Sequence, residues 1–399
     1  MKKNKFLTLY FLTIFIAILA LTPNYVFLKN TFENSNYNKI AKWQIQNNAI
    51  YGTALNQNTF LYKLALVENI KPDIVVVGSS RVMKFRKEFF NSSFINTGGA
   101  TNDLYEGLKF VKSLLKTHIP KMVILGIDFR WFNKNIEFGQ QYPYHKNTGD
   151  ILTFSKLVSS PIKFILDKKI TIDNYFEYLK DDRHSNKFSI YLSMGLDAIK
   201  NLNGYAPDGS RFDGKYLFSI EESHDVKFNQ TLSEIKTGYN TFTYGDKKSF
   251  SRVEVLEEIL SLLEKNKIEY YVFITPVAPT ISKEFLSEVS NFGYIEELRQ
   301  YVKINNYFDF HNVENIGTSD CEFLDGYHGG DVLYQRLILE MAKKKPTLDK
   351  WINSSLLQDL IIKFNGSNIS NINGEVNSKY INDDVLELNC PKVHTRINN

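Results

Sequence analysis

Hydrophobic positions change rhythm along this chain, and the changes divide it. After Met1-Lys2-Lys3-Asn4-Lys5, residues Phe6 to Thr22 read FLTLYFLTIFIAILALT without a charge. At about 1.5 Å per residue this run reaches the lower limit for spanning a hydrocarbon core of roughly 30 Å, and Val26, Phe27 and Leu28 extend it. The leading lysines stay in the cytoplasm by the positive-inside rule, which predicts export of everything beyond about residue 30. A cleaved signal peptide is the competing reading. No clean small-x-small site follows the run, so an uncleaved anchor over residues 1–30 is favoured.

From Lys71 short apolar runs alternate with helical periodicity. Asp73-Ile74-Val75-Val76-Val77-Gly78 suits a strand buried on both faces. Phe94-Ile95-Asn96, Met122 to Ile127, Tyr270 to Ile274 and Tyr307 to Phe310 read as further strands. Between them lie helical patterns at about Asn102 to Lys116, Val253 to Lys265 and Val289 to Val302, with a last one at Val332 to Lys343. Such alternation predicts right-handed βαβ crossovers, a parallel sheet and a three-layer α/β/α domain. That domain covers residues 71–345, split by a Tyr- and Phe-rich insertion at about 131–251. Residues 31–70 read as a linker beside the membrane, and residues 346–399, rich in Asn and Ser, as a small appendage or a poorly ordered tail.

Composition narrows the function. The 399 residues carry 48 Lys+Arg against 44 Asp+Glu, a net charge of +4. This balance lacks the clustered positive charge that phosphate binding requires, so nucleic acid is not an expected partner. The two cysteines, Cys321 and Cys390, carry little information; an oxidising compartment permits their pairing, and two unpaired thiols are the default expectation.

Three strand ends carry candidate chemistry, since sites of open parallel sheets gather beyond the carboxyl ends of strands. Gly78-Ser79-Ser80-Arg81 is a tight turn that exposes a serine hydroxyl. Asn96-Thr97-Gly98-Gly99 is a turn whose glycines permit positive φ and aim a backbone N–H at the site. Asp325-Gly326-Tyr327-His328 places a carboxylate three residues before an imidazole, so that Nδ1 can bond the carboxylate while Nε2 takes a proton from serine. Each piece alone has an ordinary structural explanation; their joint placement makes Ser80, Asp325 and His328 a candidate triad.

These residues resemble blocks I, II and V of the SGNH/GDSL hydrolase superfamily, most closely its membrane-anchored branch of DltD-like and alginate-acetylation proteins. The resemblance covers about residues 71 to 130 and 253 to 345. It implies a flavodoxin-like fold, Ser80 as nucleophile, His328 as base and Asp325 as its orienter, with the backbone N–H groups of Ser80 and Gly98 as an oxyanion hole. It also implies an O-acyl, chiefly acetyl, transfer or hydrolysis on a cell-envelope polysaccharide, with a multi-pass acyl-exporting membrane partner in the transferase version. No cofactor and no metal is expected.

Block III departs from the superfamily: where an Asn would complete the oxyanion hole, the strand ends in Gly126-Ile127-Asp128-Phe129-Arg130. Asp128 either pairs with Arg130 or Arg81 and turns away, or contacts a substrate hydroxyl, or impairs the site; the first reading is favoured. Arg81 itself holds an anionic substrate group or pairs with a carboxylate, and Asn96 is a candidate for shaping the site or touching substrate. His224-Asp225 reads as a solvated loop pair, Asp208-Gly209 and Asp213-Gly214 as hairpin turns, and Asn102-Asp103 as a helix cap. The rival to an enzyme is an impaired scaffold of the same fold that recruits a glycan or a membrane acyltransferase.

Overall fold

A computed structural model describes residues 2–55, 58–138 and 154–396. Ten strands form two sheets: β1 Ala49–Tyr51, β2 Ile74–Val77, β3 Phe94–Asn96, β4 Met122–Ile127, β5 His184–Ser185, β6 Leu192–Met194, β7 Asn203–Tyr205, β8 Arg211–Asp213, β9 Glu269–Ile274 and β10 Phe308–Asp309. The main sheet has the order β10-β9-β4-β2-β3, parallel throughout. Numbered by their sequence within that sheet, its strands run 2-1-3-4-5, the doubly wound order whose switch point lies between the first and third strands. Here those are β2 and β4.

The sequence explains this core directly. Ile74-Val75-Val76-Val77 is β-branched at every position, which favours the pleated conformation, and every residue of β2, β3 and β4 is buried. Burial of consecutive residues requires cover on both faces. Helices Thr59–Ile70, Leu104–Thr117 and Phe250–Lys265 pack side by side, and Asp331–Lys344 packs with Ser354–Lys363. The helix from Leu104 starts where the Asp103 carboxylate accepts the Glu106 N–H at 2.7 Å, and it buries Leu104, Gly107, Phe110, Val111 and Leu114.

Residues 31–70, anticipated as a linker, instead form the helix Tyr37–Asn47, β1 and the helix Thr59–Ile70, with Tyr62, Lys63, Leu66 and Val67 buried. The described part of the insertion joins them: β1 pairs with β6 and β7 in a second sheet ordered β5-β6-β1-β7-β8. Residues 139–153 of the expected insertion lie outside the described residues. Asp208-Gly209 is a hairpin turn between β7 and β8, whose Asp208 O accepts the Asn96 N–H at 2.8 Å. Asp213-Gly214 is not: Gly214 opens the helix Gly214–Leu217, and the Asp213 carboxylate is held by Lys84 at 2.8 Å and Arg211 at 3.1 Å.

The N-terminal apolar run lies in the helix Lys2–Asn30, with Phe6, Leu9, Phe11 and Phe15 exposed and Phe27 and Leu28 buried in the protein. Among the described residues no helix is long and apolar enough to cross a membrane, so the expected transmembrane helix is not found there. The described residues beyond Pro346, 347–396, are packed on the domain: Trp351 O accepts the Asn91 N–H at 2.8 Å, and Asn368 O accepts the Asp331 N–H at 2.9 Å. Cys321 and Cys390, expected by default as free thiols, form a disulfide that ties this C-terminal segment to the loop before the last core helix. Replacing Cys321 with Ser therefore lowers unfolding stability by about 2–4 kcal/mol. Urea denaturation of oxidised wild type and the variant checks this; equal midpoints contradict it.

Candidate active site

The buried run of β2 ends in a turn that presents Ser80. Ser79 is buried, its hydroxyl accepts the Arg81 N–H at 3.2 Å, and Ser80–Val82 closes a single 3₁₀ turn. Ser80 itself remains part-exposed. Its Oγ lies 2.8 Å from His328 Nε2, although 248 residues separate the two in the chain. His328 Nδ1 lies 2.7 Å from Asp325 Oδ2. With the Nδ1 proton on the Asp325 side, Nε2 is the acceptor that faces the serine. The three residues predicted from sequence thus form one hydrogen-bonded line.

Asp325 is 4% exposed, and its other oxygen accepts the N–H groups of Tyr327 at 2.9 Å and His328 at 2.8 Å. Burial alone would raise its pKa, but the charge and hydrogen bonds of His328 outweigh burial and hold the carboxyl below its ordinary range. Burial likewise works against a charged His328, yet Asp325 prevails and raises the imidazole above its ordinary value. The pair therefore favours carboxylate and imidazolium, the charge state that develops when a serine loses its proton.

Asp128 does not face this line. Its carboxylate is 4% exposed, accepts the Thr275 hydroxyl at 2.7 Å and lies 3.5 Å from Arg81 Nη1. Arg81 is equally buried. Its Nε donates to Tyr327 O at 3.2 Å and Nη1 to Thr275 Oγ1 at 3.1 Å, and its guanidinium carbon sits 4.8 Å from the centre of the Phe129 ring. It is a strut beneath the triad, joining the ends of β4 and β9 to the loop of His328. Arg130 stands apart, with Nη1 3.5 Å from the Thr241 hydroxyl and its guanidinium over Phe138.

The predicted oxyanion hole is only half as expected. Gly98 N–H donates to Asn96 Oδ1 at 2.7 Å and is committed there. The positive φ belongs to the next residue, Gly99, at +79°. Asn96 bonds no atom of Ser80, His328 or Asp325: it is fully buried, and Nδ2 donates to Val82 O at 2.8 Å and Phe85 O at 2.9 Å. Its carbonyl, with that of Gly209, accepts the buried Lys63 ammonium, whose pKa burial pushes well down. The Ser80 N–H takes no part in the hydrogen bonds that close its turn.

Sequence reasoning missed two supports. Thr275 follows β9 at its carboxyl end, where a polar residue after an apolar strand was the available signal. Asp225, dismissed with His224 as solvated, is 1% exposed and accepts the Gly326 N–H at 2.8 Å, while His224 Nε2 lies 3.7 Å from Asp325 Oδ2. Among the described residues no cluster of His, Cys, Asp or Glu can hold a metal ion.

Comparison with family models, with curated proteins and with solved structures gives no match. Any functional reading therefore rests on the geometry. The Arg81–Asp128 pair offers its own check: removing one partner of a buried pair strands the other charge, at a cost of about 3–5 kcal/mol. Arg81→Ala is expected to lose that much in urea unfolding, and Arg81→Ala with Asp128→Asn to lose less than the single variant. A loss below about 1 kcal/mol for Arg81→Ala contradicts the buried-strut reading.

Proposed function

We propose that this protein is a serine esterase or O-acyltransferase in which Ser80, His328 and Asp325 form the catalytic triad. The observation that carries the reading is the unbroken line of two short hydrogen bonds from Ser80 Oγ through both ring nitrogens of His328 to a buried carboxylate. Its position at the switch point of a doubly wound sheet supports it, because ligand sites of such sheets gather there. The resemblance of the three blocks to SGNH/GDSL hydrolases points the same way.

The chemistry follows from the geometry. His328 Nε2 removes the Ser80 proton as Oγ bonds to the acyl carbonyl carbon. The same proton then passes to the leaving oxygen as its bond to that carbon breaks, leaving an acyl-serine. An incoming hydroxyl gives its proton to His328 as it bonds to the acyl carbon, and His328 passes that proton to Ser80 Oγ as the acyl–Oγ bond breaks. Water as acceptor makes an esterase; a sugar hydroxyl makes a transferase. We assign the acyl group as acetyl and the substrate as a cell-envelope polysaccharide, with a membrane acyl donor protein as partner in the transferase form. Support for an exported, membrane-tethered location comes from the uncharged N-terminal run behind three lysines and from the disulfide, a bond of oxidising compartments.

One observation favours a second reading, a scaffold of the same fold that binds without turnover. Gly98 N–H is spent on Asn96, so one expected oxyanion donor is occupied.

Turnover of 4-nitrophenyl acetate and labelling by a fluorophosphonate separate the two. The enzyme reading expects a Ser80 adduct, and a loss of about a thousandfold or more in kcat for Ser80→Ala and His328→Ala. Folded wild type that neither labels nor turns over leaves the scaffold. The pH dependence has a definite sign: His328 must be neutral to act, and Asp325 raises its pKa, so kcat/KM falls as pH drops through a midpoint above about 6.5. Asp325→Asn is expected to move that limb toward lower pH; an unmoved limb contradicts the pairing.

A further inference from the structure

A buried carboxylate of the insertion is hydrogen-bonded to the loop that carries Asp325 and His328. Asp225 Oδ2 accepts the Gly326 N–H at 2.8 Å and the Thr231 hydroxyl at 2.6 Å, and Oδ1 accepts the Thr231 N–H at 2.9 Å. Gly326 is the residue between Asp325 and Tyr327, so this contact grips the backbone of the loop that carries both acid and base. The fit leaves no room for a side chain: a Cβ on Gly326 would come within 2.5 to 2.7 Å of Thr231 atoms. On the other side of the same residue, Gly326 O accepts the Ala278 N–H at 2.9 Å. His224, one residue before Asp225, stands half-exposed at the rim of the same carboxylate that orients His328.

We propose that Asp225 is a positioning residue of the active site, supplied by the insertion. It holds the Asp325–His328 loop at the height where Nε2 meets Ser80 Oγ. The reasoning rests on the triad reading above. It explains why a carboxylate is buried in a loop with no cation in its hydrogen bonds: its partners are two backbone N–H groups and one hydroxyl, all fixed donors. Two of the three belong to Thr231, which starts no bond of the triad itself but completes the socket around Gly326. The insertion is therefore a structural part of the catalytic centre and not only a wall around it.

The test uses the full chain with Asp225→Asn, Thr231→Val and Thr231→Ser, each checked for folding by circular dichroism. Readouts are kcat and KM on 4-nitrophenyl acetate, and the low-field proton resonance of the His328 Nδ1–H bonded to Asp325. Asp225→Asn and Thr231→Val are expected to lower kcat about ten- to a hundredfold with KM unchanged within about twofold, and to shift or abolish the resonance. Thr231→Ser keeps the hydroxyl and is expected to keep both. Should Asp225→Asn fail to fold, Thr231→Val, which removes one hydroxyl, carries the test. Folded Asp225→Asn or Thr231→Val with wild-type kcat and an unmoved resonance overturns the proposal. A wild type without turnover refutes the hydrolase reading instead, and the resonance then decides the positioning role alone.

Discussion

The buried carboxylate of Asp325 is the constraint on which the site depends. A carboxylate at 4% exposure is costly unless its oxygens are satisfied, and here three donors do so: two backbone N–H groups of its own loop and the His328 ring. The loop therefore curls around its own acid. Leu324 N–H closes the curl on His328 O at 2.8 Å, so backbone and imidazole are set by the same turn. Only one further degree of placement remains, the position of this turn over Ser80.

Separate parts of the chain fix that placement. The insertion holds Gly326 N–H through Asp225, the segment after β9 holds Gly326 O through Ala278, and Arg81, next to Ser80, holds Tyr327 O. The C-terminal segment closes over the start of the following helix, where Asn368 O accepts the Asp331 N–H, and the Cys321–Cys390 bond pins that segment just before the loop. Four of these five tethers are hydrogen bonds and the fifth is the disulfide. Fold and site are thus coupled: the insertion and the strand ends together position the loop of His328, while the end of β2 positions Ser80.

That division explains what the sequence made legible. β2 and β4 are continuous apolar runs whose burial on both faces can be read locally, and Asp-x-x-His is a contact within one turn. The second sheet is built from strands of two or three residues, too short for any period to register, and β1 pairs with β6 by placing Ala49 opposite Leu192, 143 positions further along the chain. Asp225 was visible only as one half of a His-Asp dipeptide, because its meaning lies in a backbone N–H a hundred residues away. The environment of Asp128 was equally nonlocal: of the cations considered, Arg81 faces it and Arg130 does not, and Thr275 enters from another strand.

If Ser80, His328 and Asp325 act as proposed, the Asn96 side chain limits how strong a catalyst they make. Its carboxamide makes three bonds, two to the carbonyls of Val82 and Phe85 and one from Gly98 N–H, so it locks the turn after Ser80 to the turn after β3. The amide nitrogen holds the turn after Ser80, and the amide oxygen fixes the turn after β3 by engaging Gly98 N–H. An oxyanion forming at Ser80 then meets the Ser80 N–H without the help of Gly98, and the loss of one good donor lowers kcat by about 10² to 10³. The Asp128 charge is met by the Arg81 guanidinium and the Thr275 hydroxyl. On the proposed triad reading the catalyst is therefore slow, with a hydrogen-bonded proton relay and one expected oxyanion donor occupied, and moving Asn96 to free Gly98 N–H is a local change that would strengthen it.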